Sequence, residues 1–332
     1  MSQPARLRTL NVFYFSLFAL FLSYLPVYGA GIGISETRLG LILGAGSLIS
    51  MFSQPIWGIA SDRFRTIRKV LMPLIAAGTV LGALLYRTES LWSYALLVAL
   101  MYVFFLPTDP LMESLNFQTS QRLRVSFGSI RMFGALGDAI SSLAAGYLSD
   151  SLGLHSLSWV FIGCGAVALL LVPTVEDVRA SAKPPAYSQL AAFFKQSHAW
   201  LFFVLVLVVA ISHKMNDMFL GLYMERLGGG MRLTGTAWFV MTIAETLFFA
   251  ISARWIKPGR EIPIMAVAAG AFALRFLLSA EISSPYALTA LQLLQGVTFV
   301  FFYVAGIQYV HGIAPAQWRS TGQTAFTVVF FG

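Results

Sequence analysis

The chain has 332 residues, 58% of them hydrophobic and only 11% charged, and its mean hydropathy is +0.76; a soluble domain of this length has too little interior for that apolar content, which excludes a water-soluble fold. The net charge of +8 would suggest nucleic acid for a soluble protein. Among so many apolar runs it reads instead as loop charge that sets membrane orientation, and no nucleic-acid partner is expected.

Arg6 and Arg8 precede a first apolar run at residues 10–29. No small-residue cleavage site follows it, so this run is expected to stay as an anchor. A spanning helix needs roughly 20 mostly apolar residues. Runs of that kind predict further helices over 39–57, 70–86, 91–112, 127–148, 157–174, 199–223, 233–256, 262–280 and 286–311. An eleventh begins near Thr321, and the sequence stops inside it at F-F-G. The expected fold class is therefore an all-α polytopic membrane protein with ten full helices and the start of an eleventh. Cys164 lies within an apolar run and is the single cysteine, so no disulfide framework is expected.

Residues 175–198 form the only long polar segment, with a Pro-Pro pair and mixed charges that suit a linker. It divides the chain into an N-terminal six-helix bundle (1–174) and a C-terminal bundle (199–332). With the N-terminus placed on the cytoplasmic side, fifteen of the 22 Lys and Arg residues fall in cytoplasmic segments. Arg38, Arg87, Arg226 and Arg232 fall on the opposite side, and Arg131, Lys214 and Arg275 within helices. That asymmetry sets the expected orientation. G-x-x-S-D occurs twice, at 58–62 and 146–150, three helices apart. Three crossings reverse orientation, so the two copies suggest an inverted three-helix repeat of the kind found in secondary transporters.

Ionisable side chains at bilayer depth are costly and mark cavities or partners. Asp109 and Glu113 lie four apart, on one face of the fourth helix, and Pro107 and Pro110 bracket Asp109 and should disturb that helix locally. Arg131 and Asp138 share a face of the fifth helix. The seventh carries His213, Lys214 and Asp217, where Asp217 can reach either cation. Glu245 stands in the eighth helix and Arg275 in the ninth. Each also has a plain structural reading: Glu113 solvated at a helix end, His213 packed in a core, Glu245 and Arg275 an ion pair that only stabilises the bundle. His155, His198 and His311 lie near helix ends and carry little information.

The loop G-I-A-S-D-R-F-R-T-I-R-K, residues 58–69, holds Gly58, Asp62, Arg63, Arg68 and Lys69 in the pattern G-x-x-x-D-R-x-x-x-x-R-K. It resembles the signature loop of the major facilitator superfamily, which lies between the second and third helices as here. The resemblance covers essentially the whole chain and implies a two-bundle transporter of twelve helices. Against twelve, this chain is expected to be a fragment of a longer protein or a truncated product. Gly58 would let helices approach closely. Asp62 would pair with a cation or cap a neighbouring helix N-terminus. The basic residues would hold the loop in the cytoplasm and change partners as the bundles rock, whereas an ordinary positive-inside loop would explain only the Arg and Lys.

Within the superfamily, F-G-S-I-R-M-F-G at 127–134 resembles lactose permease, whose Arg in that string pairs with a Glu on the fourth helix; the same spacing here reaches Glu113. Glu245 and Arg275 resemble its eighth-helix Glu and ninth-helix Arg. Asp138 stands where that protein has its sugar-stacking Trp, and Gln295 and Thr298 fall near its tenth-helix His and Glu, so the galactoside platform and the known proton site are missing. The stretch L-L-Q-G-V-T-F-V-F-F-Y-V-A-G-I-Q-Y-V and the following A-P-A-Q-W-R-S-T-G-Q look more like phenylpropionate permease and nucleoside symporter relatives.

These readings imply a monomeric secondary transporter of the bacterial cytoplasmic membrane that needs no cofactor or metal. Its partners would be the lipid bilayer, protons and a small solute: an organic acid, nucleoside or sugar. The two bundles would alternate access around a midplane cavity. Asp109, Glu113, Arg131, Asp138, His213, Lys214 and Asp217 would contact solute, Glu245 with Arg275 would couple protons, and the loop 58–69 would gate. An efflux antiporter would show a weakly charged aromatic cavity, and a sensor on the same fold would lose the intramembrane charges. An enzyme is not expected, because H-E-x-x-H, a Cys or His cluster and G-x-x-x-x-G-K are all absent from the sequence.

Overall fold

The computed structural model describes residues 2–125, 127–177, 197–257, 259–313, 325–326 and 329–330. The helices are α1 (Gln3–Gly31), α2 (Glu36–Phe64), α3 (Arg68–Leu85), α4 (Leu91–Phe104), α5 (Thr108–Leu123), α6 (Gly128–Leu152), α7 (Ser156–Leu171), α8 (Ser197–Arg226), α9 (Gly230–Trp255), α10 (Glu261–Glu281), α11 (Pro285–Leu291) and α12 (Phe301–Ile313). Among the described residues, 9 stretches are long and apolar enough to cross a membrane. The difference from the ten expected lies at α6, whose Arg131, Asp138, glycines and serines hold its hydropathy down although it runs unbroken for 25 residues. Most of the predicted eleventh helix and most of the polar linker lie outside the described residues.

Contacts group the chain into two units, Met1–Ser181 with Gly229–Phe239, and Ala182–Gly228 with Val240–Gly332. In the first unit α1 is apolar nearly all round and buried along most of its length, as a central helix must be. Its closest neighbour is α6. A methyl group on Gly137 would stand 2.1 Å from the Val12 carbonyl oxygen, and Ser16 Oγ donates to the Gly137 carbonyl at 3.1 Å. At Gly58, where a close approach is expected, a methyl group would meet nothing within 4 Å among the described residues.

The predicted fourth helix is two helices, α4 and α5, broken at Phe105–Pro107. Pro107 has no N–H to give the Val103 carbonyl. Trp57 Nε1, from α2, donates to that carbonyl at 2.8 Å, and Ser53 Oγ donates to the neighbouring Tyr102 carbonyl at 2.9 Å. Two of the carbonyls at the break thus keep hydrogen-bond partners in an apolar layer.

The loop 58–69 binds the start of the polar segment. Ile67 at the N-terminus of α3 has no side chain that can cap. Asp177 takes that part: its Oδ1 accepts from the Arg68 N–H at 3.1 Å and its Oδ2 from Thr66 Oγ1, while the Lys69 N–H donates to Thr66 Oγ1 at 3.1 Å. The Arg68 guanidinium donates to the Pro173 and Val175 carbonyls, and Arg6 donates to that of Thr174. A carboxylate at a helix N-terminus contributes about 1 kcal/mol. Asp177→Ala is therefore expected to destabilise the first unit by about that amount. Hydrogen exchange should locate the change, with amides 66–69 and 173–177 losing protection together.

Candidate functional site

In the first unit the intramembrane charges gather on α5 and α6, against α1. Arg131 Nε and Glu113 Oε1 are 2.5 Å apart, with side chains 37% and 30% exposed. The guanidinium carbon also lies 3.9 Å from the centre of the Phe15 ring, a cation–π contact. Asp109 and Asp138 add their fields to that of Glu113 at Arg131, and both are half-buried. On either side of Glu113 along α5, α1 and α5 are pinned by neutral polar pairs. Tyr14 Oη and Thr108 Oγ1 are 2.7 Å apart, and the amides of Asn11 and Asn116 each donate to the other at 2.8 and 2.7 Å. Such fully satisfied pairs fix the register of the helices that carry the charges. These partners are absent from the sequence reading, since uncharged polar residues scattered along apolar runs give no signal until the helices are paired.

The Glu113–Arg131 contact is between the exposed and buried limits, so losing one partner is expected to cost about 1–3 kcal/mol. Glu113→Gln or Arg131→Gln alone should lower the melting temperature and abolish most transport. The double variant Glu113→Gln/Arg131→Gln should recover part of the melting temperature but not the transport. A thermal-shift measurement in detergent on all three variants checks the pattern.

In the second unit the charges gather around Arg275 of α10, which is 0% exposed. Its Nη1 donates to Gln295 Oε1 and, at 3.3 Å, to Thr298 Oγ1; its Nη2 donates to Gln292 Oε1. Gln295 Nε2 in turn donates to Glu245 Oε1 at 2.8 Å. Gln292, Gln295 and Thr298 stand three apart on one face of the chain from α11 to α12. Their spacing spans a short 3-10 turn (Gln292–Leu294) and a π turn (Gly296–Val300). A π turn widens a helix and recurs at functional sites. On α8, His213 is buried, with Nε2 3.5 Å from Asp217 Oδ2 and its ring stacked on Phe299 at 4.9 Å. Asp217 gives Arg275 its strongest carboxylate field, ahead of Glu245. Lys214, half-buried, adds its charge to the field at His213.

The loop residues make none of the contacts described for the first unit's charged cluster. Arg63 and Lys69 are exposed, Arg68 is half-buried against the carbonyls of 173 and 175, and Asp62 stands in the last turn of α2 with its side chain outside the described residues. At α3 the N-terminal carboxylate is Asp177, and the cap or ion pair expected of Asp62 falls on a side chain outside the described residues. The second G-x-x-S-D copy ends at Asp150, which pairs with Arg232 at 3.5 Å, while Arg232 also lies over the Tyr147 ring. A cavity of about 360 Å³ opens between α2 and α3, lined by Trp57, Ala60, Phe64, Thr66, Lys69, Val70 and Pro73. It includes none of the intramembrane acids.

The helical architecture, with charged side chains set within the apolar helices of each unit, is what a solute transporter requires, and comparison with known proteins decides the family. The model of the MFS_1 like family matches residues 5–332. The chain belongs to that family. It is a secondary transporter of the major facilitator superfamily, a multi-pass membrane protein and not an enzyme. Among curated proteins it is 23% identical over 299 residues to the uncharacterized transporter YwbF of Bacillus subtilis, covering 89% of this chain and 74% of that one. It is 26% identical over 318 residues to the probable 3-phenylpropionic acid transporter of Escherichia coli, covering 93% and 82%. Among solved structures, the nucleoside transporter NupG superposes with a TM-score of 0.81 at 19% identity, covering 99% of this chain and 87% of that one. That likeness is one of fold.

Proposed function

We propose that this transporter moves a small organic solute across the bacterial cytoplasmic membrane by proton-coupled symport, opening to each face in turn, with its N-terminus in the cytoplasm. The observation that carries the coupling is the chain of hydrogen bonds from buried Arg275 through Gln295 to Glu245. A half-buried carboxyl, one side chain from a buried cation, binds and releases a proton as that cation's surroundings change. In the first unit Asp109, Glu113, Arg131 and Asp138 would contact solute; in the second His213, Lys214 and Asp217 would do so. Arg131 and Lys214 suit an anionic group on the solute, and the acids around them suit hydroxyl or amino groups, so organic acids, nucleosides and sugars all stay in the solute class. The 3-phenylpropionic acid and nucleoside transporters that it resembles support that range. Arg6, Arg68 and Arg122, near one set of helix ends, support the cytoplasmic N-terminus, and the loop 58–69 would act as the gate.

Uptake into right-side-out and inside-out vesicles, over a panel of organic acids, nucleosides and sugars with and without a pH gradient, tests this. One solute class is expected to accumulate when the outside is acidified. Transport that is indifferent to the gradient in both vesicle types would overturn the symport reading.

A further inference from the structure

The orientation of the Gln295 amide is fixed by chemistry. A guanidinium has only N–H donors, so the side of the amide that faces Arg275 must be its oxygen, and the NH2 must then face Glu245. Gln292 repeats the arrangement with a different outcome: its oxygen accepts from Arg275, and its NH2 is spent on the Leu288 carbonyl at 3.0 Å, within its own helix. Of the two amides on Arg275, only Gln295 has its donor end on an ionisable group.

We propose that Gln295 is the positioning residue that transmits the protonation state of Glu245 to Arg275. The inference rests on the proton-coupling reading above and adds a residue to it. While Glu245 is ionised, the Gln295 NH2 makes a charge-assisted bond, roughly twice the strength of a neutral one. That bond holds the amide oxygen against Arg275. When a proton from water adds to the Glu245 carboxylate, the bond becomes a neutral one, and a proton on Oε1 itself sets donor against donor. Gln295 then loosens its hold on Arg275, on which the charge of Asp217 also acts. Asp217, with His213 and Lys214 in the same field on α8, supplies the alternative surroundings for the cation. Proton loss from Glu245 back to water restores the first arrangement. Gln295 stands just before the π turn, and Thr298, within it, accepts from the same guanidinium.

Three variants and two assays test this, counterflow exchange at equal pH and accumulation driven by a pH gradient. Glu245→Gln tests the reading beneath the proposal and should keep exchange while losing accumulation. Gln295→Leu, which deletes the link, and Gln295→Glu, which accepts from Arg275 but in its ionised form cannot donate to Glu245, should show the same split. If Glu245→Gln splits the two activities while Gln295→Leu accumulates with an unchanged pH profile, the relay is overturned and coupling at Glu245 stands. If Glu245→Gln itself accumulates normally, the coupling reading falls and the relay with it. Infrared difference spectra of the unaltered protein through a pH titration need no folded variant at position 295. The carboxyl band of Glu245 and a glutamine amide band should shift with one midpoint, and a carboxyl band that titrates with the amide bands unmoved would overturn the relay.

Discussion

Glu245→Gln is expected to abolish proton-driven accumulation of solute while leaving exchange across the membrane at near its original rate. Glutamine has the size of the protonated acid and no proton to release, so it fixes one state of the cycle. The expected effect is large. Each elementary charge moved through 100 mV is worth about 2.3 kcal/mol, and a tenfold concentration ratio about 1.4 kcal/mol, so one coupled proton supports an accumulation of about fifty-fold. All of that should vanish in the variant. A purely structural role for Glu245 predicts something different. Gln295 would lose a charge-assisted partner, Arg275 would lose a stabilising field, and exchange and folded yield would fall together. Accumulation that persists at the normal proton-to-solute ratio would remove Glu245 from the coupling role and make Asp217, the other carboxylate in the field of Arg275, the next candidate.

How far the sequence could be read depended on whether a feature is local. Apolar runs of spanning length mark helices wherever they occur, and α1, α2, α3, α7, α8, α9 and α10 lie where such runs predict them. A local disturbance at Pro107 was also legible, because a proline acts on its own backbone, but the division into α4 and α5 was not. What satisfies the freed Val103 carbonyl was not legible, since Trp57 lies 46 positions away and reaches it only when α2 packs beside α4. The candidate site divides the same way. Charged residues in apolar runs stand out, and Glu113 and Arg131, on consecutive predicted helices, lie together in the structure. Gln292, Gln295 and Thr298 are uncharged and lie in a run where the π turn disturbs helical spacing, so nothing in the chain's pattern placed them on Arg275. Asp177 was hidden for another reason: it sits in a segment whose composition reads as linker, and its capping of α3 depends on tertiary packing.

Gly137→Ala is expected to be among the most damaging single-methyl changes available in the first unit. The added carbon would lie 2.1 Å from the Val12 carbonyl oxygen and 2.7 Å from that residue's carbonyl carbon and Cα. Those are backbone atoms of α1, so no side chain can turn aside, and α1 and α6 must separate. Overpacking of this kind costs about 3 kcal/mol, at the upper end of the usual range. The separation also reaches the site. Arg131 and Asp138 sit on α6, Arg131 is held over Phe15 of α1, and Gly134 backs directly onto the same Phe15 ring. Any folded Gly137→Ala protein should therefore transport poorly even after correction for its yield. Gly163→Ala is the control: it lies on α7, where a methyl meets nothing within 4 Å, and the better helix propensity of alanine should leave stability unchanged or raise it by up to about 1 kcal/mol. Melting temperatures and monodisperse yields in detergent, measured side by side, compare the two. Equal stability of the two variants would show that the α1–α6 seam yields to a methyl group, and the placement of Arg131 would then have to come from its pairing with Glu113 rather than from the packing of the helices that carry it.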